Sequence, residues 1–246
     1  MNTDIMTMIW KESKALFRLG KSRSKTILVL LTPIFMFGII LPIQFREEWL
    51  DMGWSLAIAL FTPLILIAPT ICESFAGERE RHTLETLLAS RLLDRGIFFG
   101  KMIVSFTYGW GMTIFLLVMS LVIVNVFLWN GTFQVYQMNI LLADLALSVL
   151  FSGLIVSLGI LISLHSATVQ SAQQVLMMAL VVPIFGLQAV VFLLPTFIPM
   201  ETIREFLGRF DYDQILMIFL VVLLVADIGL FLTAMSRFKR SRLILT

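Results

Sequence analysis

Residues 174–194 read QVLMMALVVPIFGLQAVVFLL, 21 consecutive positions without a charged side chain. Wound as α-helix at about 1.5 Å per residue, such a run crosses the roughly 30 Å hydrocarbon core of a bilayer. Lipid offers the backbone no water, so each N–H and C=O must find its partner within the segment. A continuous apolar run meets that demand as a helix. A strand of a membrane barrel would instead alternate apolar and polar residues over about 10 positions, and no such alternation is present. Pro183 inside the run is tolerated as a kink in a membrane helix.

Five further segments of the same kind flank this one, at 25–45, 54–73, 97–128, 139–164 and 214–235. Pro33, Pro63 and Pro69 lie inside the first two, and the third is long enough to tilt or to project beyond the bilayer. The composition agrees: 59% of the 246 residues are hydrophobic, 14% are charged and the mean hydropathy is +0.97. A soluble domain usually carries about 25% charged residues. The expected fold is an all-α membrane protein of six transmembrane helices, a single domain over 1–246. Its soluble pieces are too small to hold a catalytic domain.

Lysine and arginine set the expected orientation. Fifteen of the 18 basic residues lie before the first span, between the second and third, or after the sixth. They include Lys11, Lys14, Arg79, Arg81, Arg91, Arg95 and Lys101, whereas Arg46, Arg204 and Arg209 fall on the other side. Cytoplasmic loops carry such an excess, which predicts cytoplasmic N- and C-termini. The N-terminal stretch MNTDIMTMIWKESK has no short apolar core followed by small residues, so no removable leader is expected. Residues 4–20 carry helical periodicity: Ile5, Met6, Ile9, Trp10, Leu16 and Phe17 share a broad arc opposite Thr7, Lys11, Lys14 and Arg18. A basic amphipathic helix bearing a tryptophan is expected to lie in the membrane interface.

The soluble connections differ in character. The outer loop 46–53 is short and acidic, and 129–138 is uncharged with an Asn-Gly turn signal. The outer segment 195–213 holds Pro195 and Pro199 before a mixed stretch, METIREFLGRF. The connection 74–96 is the longest charged one. Taken as one helix over 78–90, it sets Leu84, Leu87 and Leu88 along an apolar edge and Glu78, Arg81, His82 and Glu85 along a charged one. Spacings of three and four make Glu78 and Arg81, then Arg81 and Glu85, neighbours. A short amphipathic helix of this sort suits a groove on a soluble partner. Asp94 is placed to cap the next helix.

This stretch resembles the signature region of the ABC type-2 transporter permeases, the membrane subunits of many exporters. The resemblance rests on Glu78-Arg79-Glu80, then Thr83-Leu84-Glu85, Leu87-Leu88, Ala89-Ser90 and finally Gly100-Lys101; Arg91 stands where that family often has proline. It covers about 25 residues closely and the basic N-terminal helix and six spans more loosely. The resemblance implies a translocation pathway built by two permease copies, identical or related. Each couples to a separate ATP-binding subunit, two in all, which supplies ATP and Mg. It implies that Glu78, Arg79, Glu80, Arg81, Thr83, Leu84, Glu85 and Leu88 form a coupling helix seated on that subunit. Residues 195–210 would close the outer side. The setting it implies is a prokaryotic plasma (inner) membrane, and the chain itself would be no enzyme and hold no cofactor.

Catalytic and nucleotide-binding motifs fare poorly. Residues 15–22, ALFRLGKS, nearly match the phosphate-binding loop GxxxxGK[ST], but Ala15 replaces the first glycine. Such a loop follows a strand in a nucleotide-binding domain, for which there is no room here. His82 and His165 are the two histidines and belong to no HExxH pattern, while the single cysteine, Cys72, excludes an internal disulfide. No nucleic-acid module is present. Asp227, well inside the sixth span, is the costliest residue, because aspartate near a helix centre costs about 2.5–3.5 kcal/mol on insertion scales. It is a candidate for the pathway or for gating, together with Asp144 near the outer end of the fourth span. The alternative reading of Asp227, and the one the residues favour, is a structural polar contact between helices. The rival function is an ion-gradient-driven secondary transporter using Asp227; an intramembrane enzyme would need paired polar residues that the spans scarcely offer.

Overall fold

A computed structural model of the chain describes residues 2–18, 28, 30–127, 129, 131–199, 202 and 212–238. Every regular element among them is helical. In chain order these are α1 (Asn2–Arg18), α2 (Leu30–Phe45), α3 (Glu48–Asp51), α4 (Leu56–Glu80), α5 (Leu84–Leu88), α6 (Asp94–Phe127), α7 (Met138–Ser163), α8 (Val169–Phe197) and α9 (Tyr212–Arg237). Five of them, α4 and α6 to α9, are long and apolar enough to cross a membrane. The chain is a multi-pass helical membrane protein. Of the expected first span, α2 is the described part and is shorter than the others; residues 25–27 and 29 lie outside the described residues.

Proline chemistry shapes α2. Its Ile34–Ile40 stretch is wound as a π-helix between Pro33 and Pro42, and Leu41 N–H reaches back five residues to Met36 C=O. A proline ring collides with the carbonyl four residues back and donates no N–H. Local widening of the helix relieves both defects. Arg46, with φ of 56°, then ends α2 in the left-handed region.

The core centres on α4, which packs along α7 and also against α6 and α8. Ile67 and Ile71, one turn apart on one face of α4 and fully buried, fill notches on two neighbouring helices. Ile67 occupies the space a side chain at Gly109 of α6 would take, and Ile71 does the same at Gly159 of α7. Bilayer tails are as apolar as leucine, so close backbone approach and dispersion drive such contacts. By contrast α8 and α9 expose long apolar faces, with Phe192 83% and Phe185 64% accessible. In lipid those faces need no protein cover.

The two ends of the bundle are unlike. One is basic and gathers α1, the end of α4, α5, the start of α6 and the α7–α8 turn. The other gathers α3 and the 131–137 loop, where Asn125 clamps Gln134 through both its amide atoms at 2.8 Å. There Phe45 stacks on Trp54 at 4.6 Å.

The connections correct the sequence-based expectations in several places. The charged stretch 78–90 is not one helix. Helix α4 continues unbroken to Glu80, turns at Arg81–Thr83 with His82 at φ 55°, and a new short helix begins at Leu84. The connection between the two long helices therefore shrinks from 74–96 to 81–93, with α5 inside it. The fifth span, drawn from 174, begins earlier, so that Gln170 and Gln173 already lie in α8. The turn is 164–168, with Thr168 as the N-cap accepting from Ser171 N–H. In the outer segment only 195–199, Thr202 and 212–213 are described. The METIREFLGRF stretch otherwise lies outside the described residues.

Candidate functional site

Two turns into α6, Lys101 sits between apolar neighbours, and its side chain is entirely buried. An ammonium ion in that position needs compensation, because desolvation costs several kcal/mol per ion. Three groups supply it. Lys101 Nζ donates to Glu12 Oε1 at 3.0 Å and to the Ser74 carbonyl, and lies 3.1 Å from Glu78 Oε2. The last contact is too poorly aligned for a hydrogen bond and acts as a Coulomb attraction. The ammonium also lies 5.1 Å from the centre of the Phe75 ring. Lys11 completes the group by donating to Glu78 Oε1 at 2.7 Å, with Glu12 Oε1 at 3.8 Å. Two cations and two carboxylates, drawn from α1, α4 and α6, thus form one neutral cluster, buried except for the half-exposed Lys11.

Helix α1 reaches this cluster because α6 offers it glycines. A Cβ at Gly100 would stand 2.5 Å from Met8 Cβ, and one at Gly96 2.9 Å from Asp4 Cβ. The Gly100-Lys101 pair therefore has a local purpose: the glycine admits α1, and the adjacent lysine meets Glu12, one turn beyond Met8. The amphipathic pattern of α1 resolves into three faces where the sequence suggested two. Met8 and Glu12 are buried against α6 and α4, Met6 and Trp10 are 68% and 65% exposed, and Lys11 and Lys14 line the third. Lys14 lies over Trp10 at 4.6 Å. Phe17 and Arg18 side chains are outside the described ones.

The residues expected to face a partner are largely engaged within the chain. Glu78 is buried in the ion cluster. Arg79 Nη1 donates to the Ser166 carbonyl at 3.4 Å. Glu80 Oε2 accepts from Val169 N–H at 3.0 Å, placing a carboxylate on the N-terminus of α8, where the helix dipole favours it. Arg81 does not pair with Glu78 as helical spacing suggested; it donates to Glu73 at 2.6 Å. The physical reason is that the Glu78 carboxylate is already taken by Lys11 and Lys101, which leaves Arg81 to Glu73 further back along α4. Thr83 N–H and Oγ1 both donate to the Glu78 carbonyl, at 2.8 and 3.2 Å, closing the turn. Leu84 is buried as its anchor, whereas His82, Thr86, Arg91, Leu93 and Arg95 are exposed. Side chains of Glu85 and Leu88 are outside the described ones.

The two candidate aspartates occupy separate places. Asp144, near the outer end of the fourth span by sequence, is fully buried at the non-basic end, where Ser55 Oγ donates to its Oδ2 at 2.7 Å. Close by, Tyr136 OH lies 2.7 Å from Ser120 Oγ, and burial pushes the Tyr136 phenol up to about 12. Asp227 is partly buried on α9, against α7, where Ser157 Oγ donates to its Oδ1 at 3.3 Å. A Cβ at Gly153 would collide with the Asp227 carboxylate, so α7 leaves a notch for it. Asp144 and Gly153 are nine residues apart on α7, about 13 Å along its axis, and form no shared site. His165 is exposed in the α7–α8 turn, its Nδ1 2.9 Å from the Leu161 carbonyl.

Comparison of the chain with protein-family models, with curated proteins and with solved structures finds no match. Glu12 is the functional candidate that sequence reasoning passed over, and Lys101 entered it only as a basic charge and as the end of the signature stretch. A signal existed for both. Lys101 interrupts the apolar run IFFGKMIVSF, and an ionisable residue in such a run demands a partner. Glu12 falls beside Met8 and Leu16 on the helical wheel, away from the solvated lysines.

Proposed function

We propose that this chain is the permease subunit of an ATP-driven exporter, supplying pathway and docking surface while a separate ATP-binding subunit hydrolyses ATP. In this proposal the chain has six spans, both termini are cytoplasmic, and α1 lies in the cytoplasmic interface with Met6 and Trp10 toward lipid. Two copies pair, identical or related, with two ATP-binding subunits in a prokaryotic plasma membrane. Support comes from the resemblance of Glu78–Lys101 to the permease signature and from the basic excess at one end of the bundle.

The observation that carries the proposal is the build of the 81–93 turn. It presents Thr86, Arg91 and Leu93 exposed at the basic end, yet the residues just before it are tied rigidly into the bundle. Glu78 is held to α1 and α6, Arg79 and Glu80 to the α7–α8 turn. A partner pushing on this turn would move four elements together, which is what coupling of ATP binding to a pore requires. The contact surface is then the exposed turn around Thr86, rather than the charged face of a 78–90 helix. A ligand shifts such an equilibrium only by its differential affinity for the two states, so the partner must bind one position of the turn better when loaded with ATP.

The test is co-purification from detergent followed by vanadate-sensitive ATPase assay, comparing wild type with Glu85→Arg. A soluble ATPase that accompanies the wild type and is lost or uncoupled in the variant is the expected result. A correctly folded chain that purifies with no ATPase refutes the proposal. It would then favour the second possibility, an ion-gradient-driven transporter, for which the observation is the Asp227 carboxylate lodged mid-helix between α7 and α9.

A further inference from the structure

Glu73, Gly77 and Arg81 succeed one another at intervals of four along the basic end of α4 and its cap. Across that distance the long side chains converge, and Arg81 Nη1 meets Glu73 Oε1 at 2.6 Å. They close over bare backbone: a Cβ at Gly77 would lie 3.0 Å from the Glu73 carboxyl carbon and 3.1 Å from Arg81 Nη2. This pair belongs to the wall of a half-open cleft of about 530 Å³ between α1, α4, α5 and α6. Lys11 faces the same cleft, which continues past Ser105 to Thr70, with Leu16 and Val104 as apolar lining. From Arg81 to Thr70 is about 16 Å along the helix.

We propose that this cleft binds the zwitterionic headgroup of a phospholipid bearing a primary ammonium, with the phosphate on Lys11 and Arg81 and the ammonium on Glu73. The donors are available. An ammonium carries three N–H groups and a guanidinium five; Lys11 and Arg81 each spend one in the hydrogen bonds described, and their side chains remain 47% and 55% exposed. Glu73 has a second carboxylate oxygen and is 24% exposed.

Charge balance selects a dipolar ligand. The carboxylates of Glu12, Glu73 and Glu78 are matched by Lys11, Arg81 and the buried Lys101. A neutral zwitterion adds no net charge to that set, whereas a simple anion or cation does. The primary ammonium is specified because a quaternary one has no N–H to give Glu73. A phospholipid, rather than a soluble zwitterion, is favoured by the apolar lining and by the neighbouring α1, whose exposed Met6 and Trp10 suit the headgroup layer. The site stands whether or not the chain is a permease.

The test uses the full chain with any co-purifying partners, delipidated in detergent and offered equal amounts of phosphatidylethanolamine and phosphatidylcholine. Bound lipid is counted by native mass spectrometry. Wild type should retain the ethanolamine lipid about tenfold over the choline lipid, as the loss of one charge-assisted hydrogen bond implies. Glu73→Gln should bring that ratio near one, and Lys11→Gln combined with Arg81→Gln should lower binding of both lipids. Gly77→Leu fills the space without changing charge and replaces a poor helix former; it should abolish selective retention in a folded protein. Equal retention of both lipids by wild type, or an unchanged ratio in Glu73→Gln or Gly77→Leu, overturns the proposal. Glycerophosphoethanolamine, the soluble bearer of the same groups, should not displace the lipid at millimolar concentration. Displacement would identify a free zwitterion as the ligand and overturn the lipid assignment.

Discussion

Replacing Lys101 with methionine keeps the volume of the side chain and removes its charge, which isolates the electrostatic role of the buried cluster. The wild-type ammonium satisfies Glu12, Glu78 and the Ser74 carbonyl. After Lys101→Met, two buried carboxylates share one cation. Lys11 still holds Glu78 at 2.7 Å but stands 3.8 Å from Glu12. Removing one member of a buried pair costs about 3–5 kcal/mol, because the remaining charge is uncompensated. Loss of the bond to the Ser74 carbonyl adds about 1 kcal/mol, so the expected loss lies at the upper part of that range. Neutralising the stranded acid should reverse part of it: Lys101→Met with Glu12→Gln leaves Lys11 and Glu78 as a balanced pair. That double variant should regain at least about 2 kcal/mol over Lys101→Met, within the span of measured coupling energies. Equilibrium unfolding in mixed SDS and dodecylmaltoside micelles reads the differences. Lys14→Met, which removes an exposed lysine at the same end, should fall within error of wild type. A loss below about 1 kcal/mol for Lys101→Met, or strict additivity with Glu12→Gln, refutes the cluster as the clamp between α1, α4 and α6.

Three other perturbations test neighbouring contacts. Gly100→Ala drives a methyl group into Met8 and should displace α1, costing about 1–3 kcal/mol as overpacking does and exposing the N-terminal helix to protease. Gly111→Ala, on the same helix with open space around it, should leave stability unchanged or slightly raised. Gly153→Ala collides with the Asp227 carboxylate and should loosen α9 from α7, read as faster cross-linking of introduced cysteines to a membrane-phase probe. Adding Asp227→Ala should restore protection; if it does not, the notch is not where Asp227 rests. Ser55→Ala deprives buried Asp144 of its hydrogen bond and should lower stability by about 1–3 kcal/mol, measured in the same micelle assay, while Ser55→Thr should retain most of it.

Some of this was legible from the order of residues alone. Long charge-free runs force helices in lipid whatever surrounds them, because the backbone must bond to itself. The positions of α6, α7 and α9 therefore followed within about three residues, while α4 runs seven residues past its expected end and α8 starts five before its expected start. The uneven placement of lysine and arginine likewise marked one end as basic without any knowledge of packing. The break at Arg81–Thr83 was not legible. Propensity and spacing favour continuing α4 into a 78–90 helix, and only the Thr83 and Leu84 anchors redirect it. Nor could spacing assign partners to Glu12, Glu78 and Lys101, which are separated by 66 and 89 positions from Glu12. Helical periodicity relates residues one or two turns apart; it is silent about which helices lie side by side. Asp144 shows the same limit: its sequence position near the outer end of a span names no partner, whereas the packing of α4 beside α7 buries it against Ser55. Thus the local rules of hydrogen bonding and charge in a bilayer determined which segments are helices and which end is basic. Tertiary contact alone decided which charges are spent inside the protein and which remain free to meet another molecule, because desolvation and pairing depend on what the fold brings within a few ångströms.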